Sequence, residues 1–359
     1  MRRIAAAVLL LASTAQAQTF TAEADYMVWW LRRSRLPPVV AAGTPGSPDY
    51  RVIYGDTRLE TRHEDRFLGG RVALGLMGAD LGAEARAFFM ERDSTYRTIR
   101  HTESPLSLLY TDARTGQPDR EVFAGLSPQR GPLRGSFVGY SRIELFGQEA
   151  NALVPLARED GWRADLIAGA RFLQMRDRYH GTASSSNTAP SRGFGTGEVL
   201  YGVIDNIRSH TAFYGAQVGV RGEADYGAFF VNARLTGAIG ADSKLVRAWG
   251  ERVYHTPAER TVTPVGLYIQ RSNTGRFSRF AFDAVGEVAV NAGVRLTERA
   301  DLFVGYTFLL WGDPLRSTDQ VDTVVNRAQG SGGPLRPGVP FKGEAFWAQG
   351  VNVGLRLAW

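Results

Sequence analysis

The sequence contains no cysteine among its 359 residues. This absence excludes disulfide bonds, thiol catalysis and thiolate metal sites. Long apolar runs are missing too, since no stretch reaches the ~20 apolar residues that a membrane-spanning helix needs. A helical membrane protein is therefore excluded, whereas a soluble exported protein and a membrane β-barrel both remain.

Lysine is also scarce, because only Lys244 and Lys342 occur and arginine carries nearly all of the positive charge. The formal net charge is +6, but the arginines are spread through the chain and form no basic block. Nucleic-acid binding is therefore not indicated. Guanidinium groups form forked pairs with carboxylates, which suits a narrow polar interior.

The first residues resemble an export signal. Arg2 and Arg3 are followed by an apolar stretch at 4–11 and by a small-x-small site that ends at Ala17. The alternative, a short N-terminal membrane anchor, is disfavoured because this apolar stretch is too short to span a bilayer. We predict a cleaved signal peptide at 1–17 and one domain at 18–359.

The C-terminal segment alternates strictly between two faces. Small or polar residues separate the apolar set Val351, Val353, Leu355, Leu357 and Trp359. An apolar face, a polar face and a terminal aromatic are typical of the last strand of an outer-membrane β-barrel. We predict that this segment is also the signal for assembly into the membrane.

Nine earlier segments repeat this period of two, which indicates strands. The ten predicted strands lie at about 18–33, 66–77, 81–89, 136–149, 162–177, 209–223, 227–241, 279–296, 300–311 and the C-terminus. Short links alternate with long links (34–65, 92–135, 178–208, 242–278 and 312–344), although the short-side link at 150–161 is longer than the others. Strand-like pieces at 51–60 and 245–253 are interpreted as parts of external hairpins.

This alternation predicts short periplasmic turns and long extracellular loops. The predicted fold is all-β: a transmembrane antiparallel up-and-down barrel of about ten strands. A soluble β-sandwich is the architectural alternative, but its apolar outer faces would be an aggregation hazard in water.

The last third of the chain carries a family resemblance. Its motifs are Ser-Asn-Thr-Gly-Arg-Phe-Ser-Arg at 272–279, Gly-Tyr-Thr-Phe-Leu-Leu-Trp at 305–311, Asp-Gln-Val-Asp at 319–322 and Phe-Trp-Ala-Gln-Gly-Val-Asn at 346–352. With these motifs the chain resembles the putative β-barrel porin-7 family of bacterial outer-membrane proteins. Ser317-Thr318 stands where relatives tend to carry Pro-Gly. The resemblance implies export, a barrel and an outer-membrane location.

The sequence lacks a phosphate loop, a metalloprotease helix motif and a Gly-x-Ser-x-Gly elbow. A surface protease would need loop histidines such as His180 or His210, but no matching Asp and His spacing occurs. Asp319, Asp322 and Asn326 have the spacing of a calcium loop, although turn-forming carboxylates are the favoured interpretation. We therefore predict no enzymatic activity, no cofactor and no metal site.

Charged residues on the predicted polar faces form the candidate site. Eleven are predicted to face the lumen: Glu84, Arg86, Arg142, Glu144, Asp165, Arg171, Arg221, Arg234, Glu287, Arg295 and Arg356. Barrels near eight strands have interiors that side chains can fill. A paired network that plugs the lumen is therefore favoured over an arginine-lined, anion-preferring pore.

Two function hypotheses follow. The first is a porin-like channel for small hydrophilic solutes, and the second is a structural or adhesive barrel that acts through its extracellular loops. The predicted partners are the lipid of the outer membrane and, during insertion, the barrel-assembly machinery.

Overall fold

The computed structural model describes residues 19–55, 66–91, 93–100, 104–127, 131–187, 200–256 and 259–359. The predicted signal peptide at 1–17 lies outside the described residues. His63 and His101, two of the five histidines, also lie outside them.

The described residues form seventeen strands and two short 3-10 helices, where the sequence predicted about ten strands. The strands are β1 (Thr19–Leu31), β2 (Val40–Ala42), β3 (Arg51–Tyr54), β4 (Arg66–Met77), β5 (Gly82–Met90), β6 (Asp93–Arg100), β7 (Leu106–Asp112), β8 (Pro118–Ser127), β9 (Gly131–Glu159), β10 (Trp162–Asn187), β11 (Leu200–Tyr226), β12 (Phe229–His255), β13 (Arg260–Thr263), β14 (Gly275–Thr297), β15 (Ala300–Trp311), β16 (Val324–Val325) and β17 (Phe346–Ala358). The 3-10 helices are Thr318–Gln320 and Gln329–Ser331. No helix in this part of the chain has the length and apolar character needed to cross a membrane.

The long strands pair in one antiparallel series. β1 pairs with β4, β4 with β5, β5 and β6 with β9, and each later long strand with the next, through β10, β11, β12, β14, β15 and β17. β17 pairs in turn with β1, where Val351 lies opposite Val28. The pairing series therefore returns to its first strand and surrounds an interior.

One end of this series has short turns. Residues 78–81, 160–161, 227–228 and 298–299 make these connections. Gly161 and Gly227 have φ of +82° and +66°, as the tight hairpins at 160–161 and 227–228 require. The two termini of the described chain lie at the same end, where the Phe20 amide donates to the Trp359 carbonyl at 2.9 Å.

Several predicted links are strand in the structure. In the link predicted at 178–208, residues 178–187 continue β10 and residues 200–208 belong to β11. Residues 150–159, predicted as part of a link, belong to β9, and 245–253, predicted as an external hairpin, continues β12. β9 to β12 are 26 to 29 residues long, well beyond the ~9–11 residues that cross a bilayer. These strands therefore have outer halves that extend toward the long-loop end.

The long connections fold into a cap at that end. The cap comprises the segments 32–55, 104–127, 259–274 and 312–345, and β2, β3, β7, β8 and β16 pair within it. Its apolar side chains pack against the inner face of the strand extensions, where Phe137, Tyr179 and Val246 are buried. The predicted loop at 51–60 contains β3, which is part of this cap.

Asp205 holds one edge of the cap to β11. Its carboxylate accepts hydrogen bonds from the amides of Leu267, Tyr268 and Ile269 at 3.2, 3.0 and 2.8 Å. The Tyr268 hydroxyl then donates to the Leu109 carbonyl at 2.6 Å. These bonds tie the connection between β12 and β14 to both β11 and β7.

Candidate functional site: the interior charge network

The inward side chains of the strands form three layers. Along β10 from the short turn, the buried inward residues include Asp165 and Arg171, then Leu173 and Met175, and then Tyr179. Asp177 is also buried between the last two groups, where it pairs with Arg316 of the cap. The charged layer therefore lies toward the short turns, an apolar layer lies above it, and the cap core lies at the far end.

Cross-strand register positions the charged layer. Arg86 is opposite Glu149, Glu149 is opposite Arg171, and Asp165 is opposite Arg221. Opposite charges on directly facing residues stabilise a strand pair. The backbone register alone therefore places positively and negatively charged residues opposite each other.

Seven charged side chains of the interior form a chain of ion pairs that we name the central charge network. Its members are Asp165, Arg221, Glu84, Arg234, Glu149, Arg171 and Glu287. In that order each contacts the next, with N–O distances of 2.8, 3.1, 2.7, 2.9 and 3.6 Å for the first five contacts. The last contact is an ion pair between Arg171 and Glu287. Neutral groups supplement it, since Gln217 donates to Glu149 at 3.0 Å and Asn151 donates to Glu84 at 3.3 Å.

A second group, the turn-end network, lies toward the short turns. Arg356 of β17 pairs with Asp301 of β15 at 2.7 Å and with Glu223 of β11 at 3.1 Å. Arg163 reaches the same Glu223 at 2.7 Å. The Arg356 guanidinium also lies 4.6 Å from the centre of the Phe230 ring. The ion pair between Glu223 and Arg356 therefore joins β11 to β17, which are not neighbours in the pairing series.

A cavity of about 340 Å³ lies between these networks and the short turns. Arg86, Glu23, Arg163 and Arg299 are among its lining residues. Arg86 is buried, yet it forms no hydrogen bond or ion pair with another described residue, and its Nη1 atom has no partner. The carboxylates of Glu149, Glu84 and Glu287 nevertheless attract its charge.

The apolar layer fills the interior above the charges. Trp29 of β1 lies 5.6 Å from Phe88 of β5, and Phe213 of β11 lies 6.4 Å from Trp311 of β15, measured between ring centres. Leu173 and the four aromatic side chains are buried in one cluster. Side chains from strands on all parts of the wall therefore meet at this height.

The eleven residues predicted to face the lumen lie in different parts of the structure. Six belong to the central charge network, Arg86 lies beside it, and Arg356 belongs to the turn-end network. Arg295 lies at a turn, where it pairs with Asp225 and keeps 35% of its side chain exposed. The five apolar residues of the C-terminal segment are all exposed, from 46% at Val351 to 57% at Trp359.

The predicted faces of one segment were wrong. Ile143 and Leu145 of β9 are buried, so Arg142 and Glu144 lie on the outer face, where they pair at 3.3 Å. Glu149, predicted as the end of that strand, was missed as a site residue. The Asp-Gly hairpin signal at 160–161 places β9 beside β10 but pairs Arg171 with Ala150, and only the register shift between Ala164 and Asp165 brings Glu149 opposite Arg171.

Asp25 and Arg71 were also left out of the predicted set. They face each other on β1 and β4, and the Arg71 Nε atom donates to Asp25 at 3.1 Å. Asn352 donates to the same carboxylate at 3.0 Å. Alternation had already indicated that both residues lie on polar faces, but pairing them required the register.

The other candidate sites are occupied by protein groups. His180 contacts Asn206 and Thr182 at 2.8 and 2.7 Å, and the His210 ring contacts Gln174 at 2.8 Å. Asp322 accepts hydrogen bonds from Arg336 and from the Gly338 amide, both at 2.8 Å. No cluster of three or more His, Asp or Glu side chains suited to a metal ion occurs in the described ranges.

The exposed apolar faces and the buried charges define the class of an outer-membrane β-barrel protein. A sequence profile of the family described as "Putative beta barrel porin-7" matches residues 22–359. The chain therefore belongs to that family, and the predicted resemblance is confirmed. No curated protein sequence matches this chain.

Three solved structures match this chain over nearly its whole length, at low identity and with low TM-scores. The outer membrane protease OmpT from Escherichia coli is 12% identical, with 97% of this chain and 99% of that chain covered and a TM-score of 0.41. A FadL homologue from Pseudomonas aeruginosa is 6% identical over 95% and 90% of the chains, with a TM-score of 0.23. An anion-selective porin from Comamonas acidovorans is 12% identical over 96% and 100%, with a TM-score of 0.16. Scores this low carry no inference about function.

Proposed function

We propose that this chain is a closed outer-membrane barrel of ten wall strands that displays a folded extracellular cap and conducts no solute at rest. The wall strands are β1, β4, β5 with β6, β9, β10, β11, β12, β14, β15 and β17. The proposed role is the structural or adhesive alternative of the two sequence hypotheses. It includes no catalytic activity and no cofactor.

The pairing series supports the closed wall, because every wall strand has a partner on both sides and β17 pairs with β1. The outer face supports contact with lipid. On β11 and β12, Val218, Val220, Leu235 and Ile239 are between 44% and 65% exposed. Side chains of this kind are stable on an outer surface when acyl tails cover them.

The apolar layer is the single observation that carries the closed state. An aqueous channel needs a continuous polar path, and open channels are typical of barrels with sixteen or more strands. Here Trp29, Phe213 and Trp311 are at most 1% exposed. The cap adds a second closed layer on the extracellular side.

Single-channel recording tests this proposal. Folded protein is first identified by heat-modifiable gel migration and is then added to a planar bilayer. We expect no conductance steps from the intact protein, and we expect steps only from a variant that opens both closed layers, Trp29→Ala/Trp311→Ala combined with deletion of the cap segment 104–127. Regular steps from the intact protein would overturn the closed state while leaving the barrel in place.

A second candidate is a porin-like channel for small hydrophilic solutes. The observation that favours it is the cavity with Arg86, because an unpaired guanidinium attracts small anions. Anion-selective conductance that is lost in Arg86→Gln, with heat-modifiable migration retained, would favour this channel.

The loops and the export signal give further tests. If the cap binds envelope components, deleting 104–127 changes surface binding while the wall stays folded. N-terminal sequencing of the membrane protein should begin at Gln18 if the signal at 1–17 is cleaved. Peptide cleavage that depends on His180 or His210 would overturn the non-enzymatic role.

A further inference from the structure

The outer face of the strand extensions carries a row of arginines. Arg142 is opposite Arg178, Arg178 opposite Arg208, Arg208 opposite Arg247, and Arg247 opposite Arg276. These five residues, one on each of β9, β10, β11, β12 and β14, are named the arginine row. Adjacent strands are ~4.8 Å apart, so the row brings five positive charges close together on one surface.

Few negatively charged groups of the protein neutralise the positive charges of the arginine row. Arg142 pairs with Glu144, and Arg208 stacks 4.7 Å from the Trp249 ring centre. Arg178, Arg247 and Arg276 form no ion pair or hydrogen bond with another residue of the described ranges. Like charges in directly opposed positions destabilise a strand pair. The arrangement is therefore unfavourable unless an anion lies on it.

The strands place the row just beyond the apolar belt. Phe146 and Phe280 on the outer face lie four residues nearer the short turns than Arg142 and Arg276, and Phe172 and Tyr214 lie six residues nearer than Arg178 and Arg208. Four to six residues of a strand tilted by 35–45° rise by ~10–16 Å, and outward aromatic rings mark the inner edge of the headgroup region. The row is thus within reach of lipid phosphates on the extracellular side.

From this geometry we propose that the arginine row binds the phosphate groups of an anionic lipid headgroup in the outward-facing leaflet. Guanidinium groups bind phosphate through two parallel hydrogen bonds. Because the strands are tilted, the row runs obliquely, so it suits a headgroup with phosphates at more than one height. Arg176 is exposed on the same face beside Arg178 and lies directly opposite Glu144, so it adds a donor whose charge is partly compensated. The inference rests on the proposed placement in the membrane.

The experiment measures binding of lipid A to purified full-length protein in detergent by titration. Dephosphorylated lipid A and inorganic phosphate serve as comparison ligands. The test variant is Arg178→Gln/Arg208→Gln/Arg247→Gln. The matched control is Arg134→Gln/Arg260→Gln/Arg271→Gln, which removes the same charge from exposed arginines outside the row.

We expect lipid A to bind the intact protein and the control variant with equal affinity. The test variant should bind at least about tenfold more weakly, as the loss of charge-assisted hydrogen bonds predicts. Dephosphorylated lipid A and inorganic phosphate should both bind much more weakly than lipid A. Unchanged affinity in the test variant, or equal loss in the control, would overturn the inference.

Heat-modifiable migration separates this result from the proposed barrel. If the test variant still migrates as a folded barrel but binds as tightly as the intact protein, only the lipid site fails. If inorganic phosphate binds as tightly as lipid A, the row is a site for soluble anions and the lipid proposal is overturned.

Discussion

Removing one arginine from the central charge network should destabilise the barrel strongly. The Arg171 side chain is 0% exposed, and those of its partners Glu287 and Glu149 are 5% and 7% exposed. Arg171→Met keeps most of the side-chain length but leaves Glu287 without its ion pair. Breaking a buried pair by removing one partner costs ~3–5 kcal/mol, so we expect a loss of this size in the free energy of unfolding.

An exposed ion pair provides the control. Arg295 and Asp225 keep 35% and 30% of their side chains exposed, and exposed pairs contribute ~0–1 kcal/mol. Arg295→Met should therefore change stability by no more than about that amount. Urea unfolding in lipid vesicles, followed by tryptophan fluorescence, gives both values.

The double variant Arg171→Met/Glu287→Met separates a lost attraction from an uncompensated charge. Glu149 keeps its contact with Arg234 at 2.9 Å, so no buried carboxylate loses all of its partners. The double variant should recover roughly half or more of the loss, because apolar replacement of a whole buried pair is often near neutral. Equal losses for Arg171→Met and Arg295→Met would refute the buried network.

Three further predictions concern the wall, the terminus and the cap. Spin labels at Val220 and Arg221 should differ sharply in their exposure to a lipid-soluble quencher, and equal exposure would contradict the assigned faces. Trp359→Ala should lower the fraction of heat-modifiable protein in the membrane, if the last strand is the assembly signal. Burial raises the pKa of Asp319 to about 6, so its contribution to cap stability is fully present below its unfolded pKa and is lost as the pH rises through about 6. Asp319→Asn should remove this dependence in hydrogen exchange of the cap, and an unchanged pH profile would contradict it.

The sequence predicted the wall strands well where one rule applied along their whole length. β15 was predicted at about 300–311 and spans Ala300–Trp311, and β4 matches its predicted bounds as well. Each of these strands has 12 residues and lacks the outer extension of β9 to β12. A period of two is then sufficient, because one face meets lipid and the other meets a polar interior.

The same rule failed for Arg142 and Glu144 because the surroundings change along β9. In its outer half the interior holds the apolar layer and the cap core, and the exterior is water and headgroups. Apolar residues such as Ile143 therefore turn inward there, and charged ones turn outward. Alternation reveals two faces, but it does not say which face is outside.

The sequence could not predict which interior charges form ion pairs, for a different reason. Period-two patterns indicated that Arg171 and Glu287 share an interior, yet these residues are on β10 and β14, which are not neighbours. Their contact depends on how β11 and β12, the two strands between them, curve around the interior. Pairs on neighbouring strands, such as Asp25 on β1 and Arg71 on β4, required only the register of one strand pair.

The near absence of lysine also has a structural explanation. Arg234 binds Glu84 at 2.7 Å and Glu149 at 2.9 Å through different nitrogens, and Arg221 likewise binds Asp165 and Glu84. A planar guanidinium can hold two carboxylates in a fixed fork, whereas an ammonium is a compact and strongly hydrated charge. Arginine therefore joins several strands of the charged layer through one side chain, whereas the buried Lys244 binds the carboxylate and the carbonyl of one residue, Asp313. The preference for arginine over lysine thus suits an interior that is filled by paired charges.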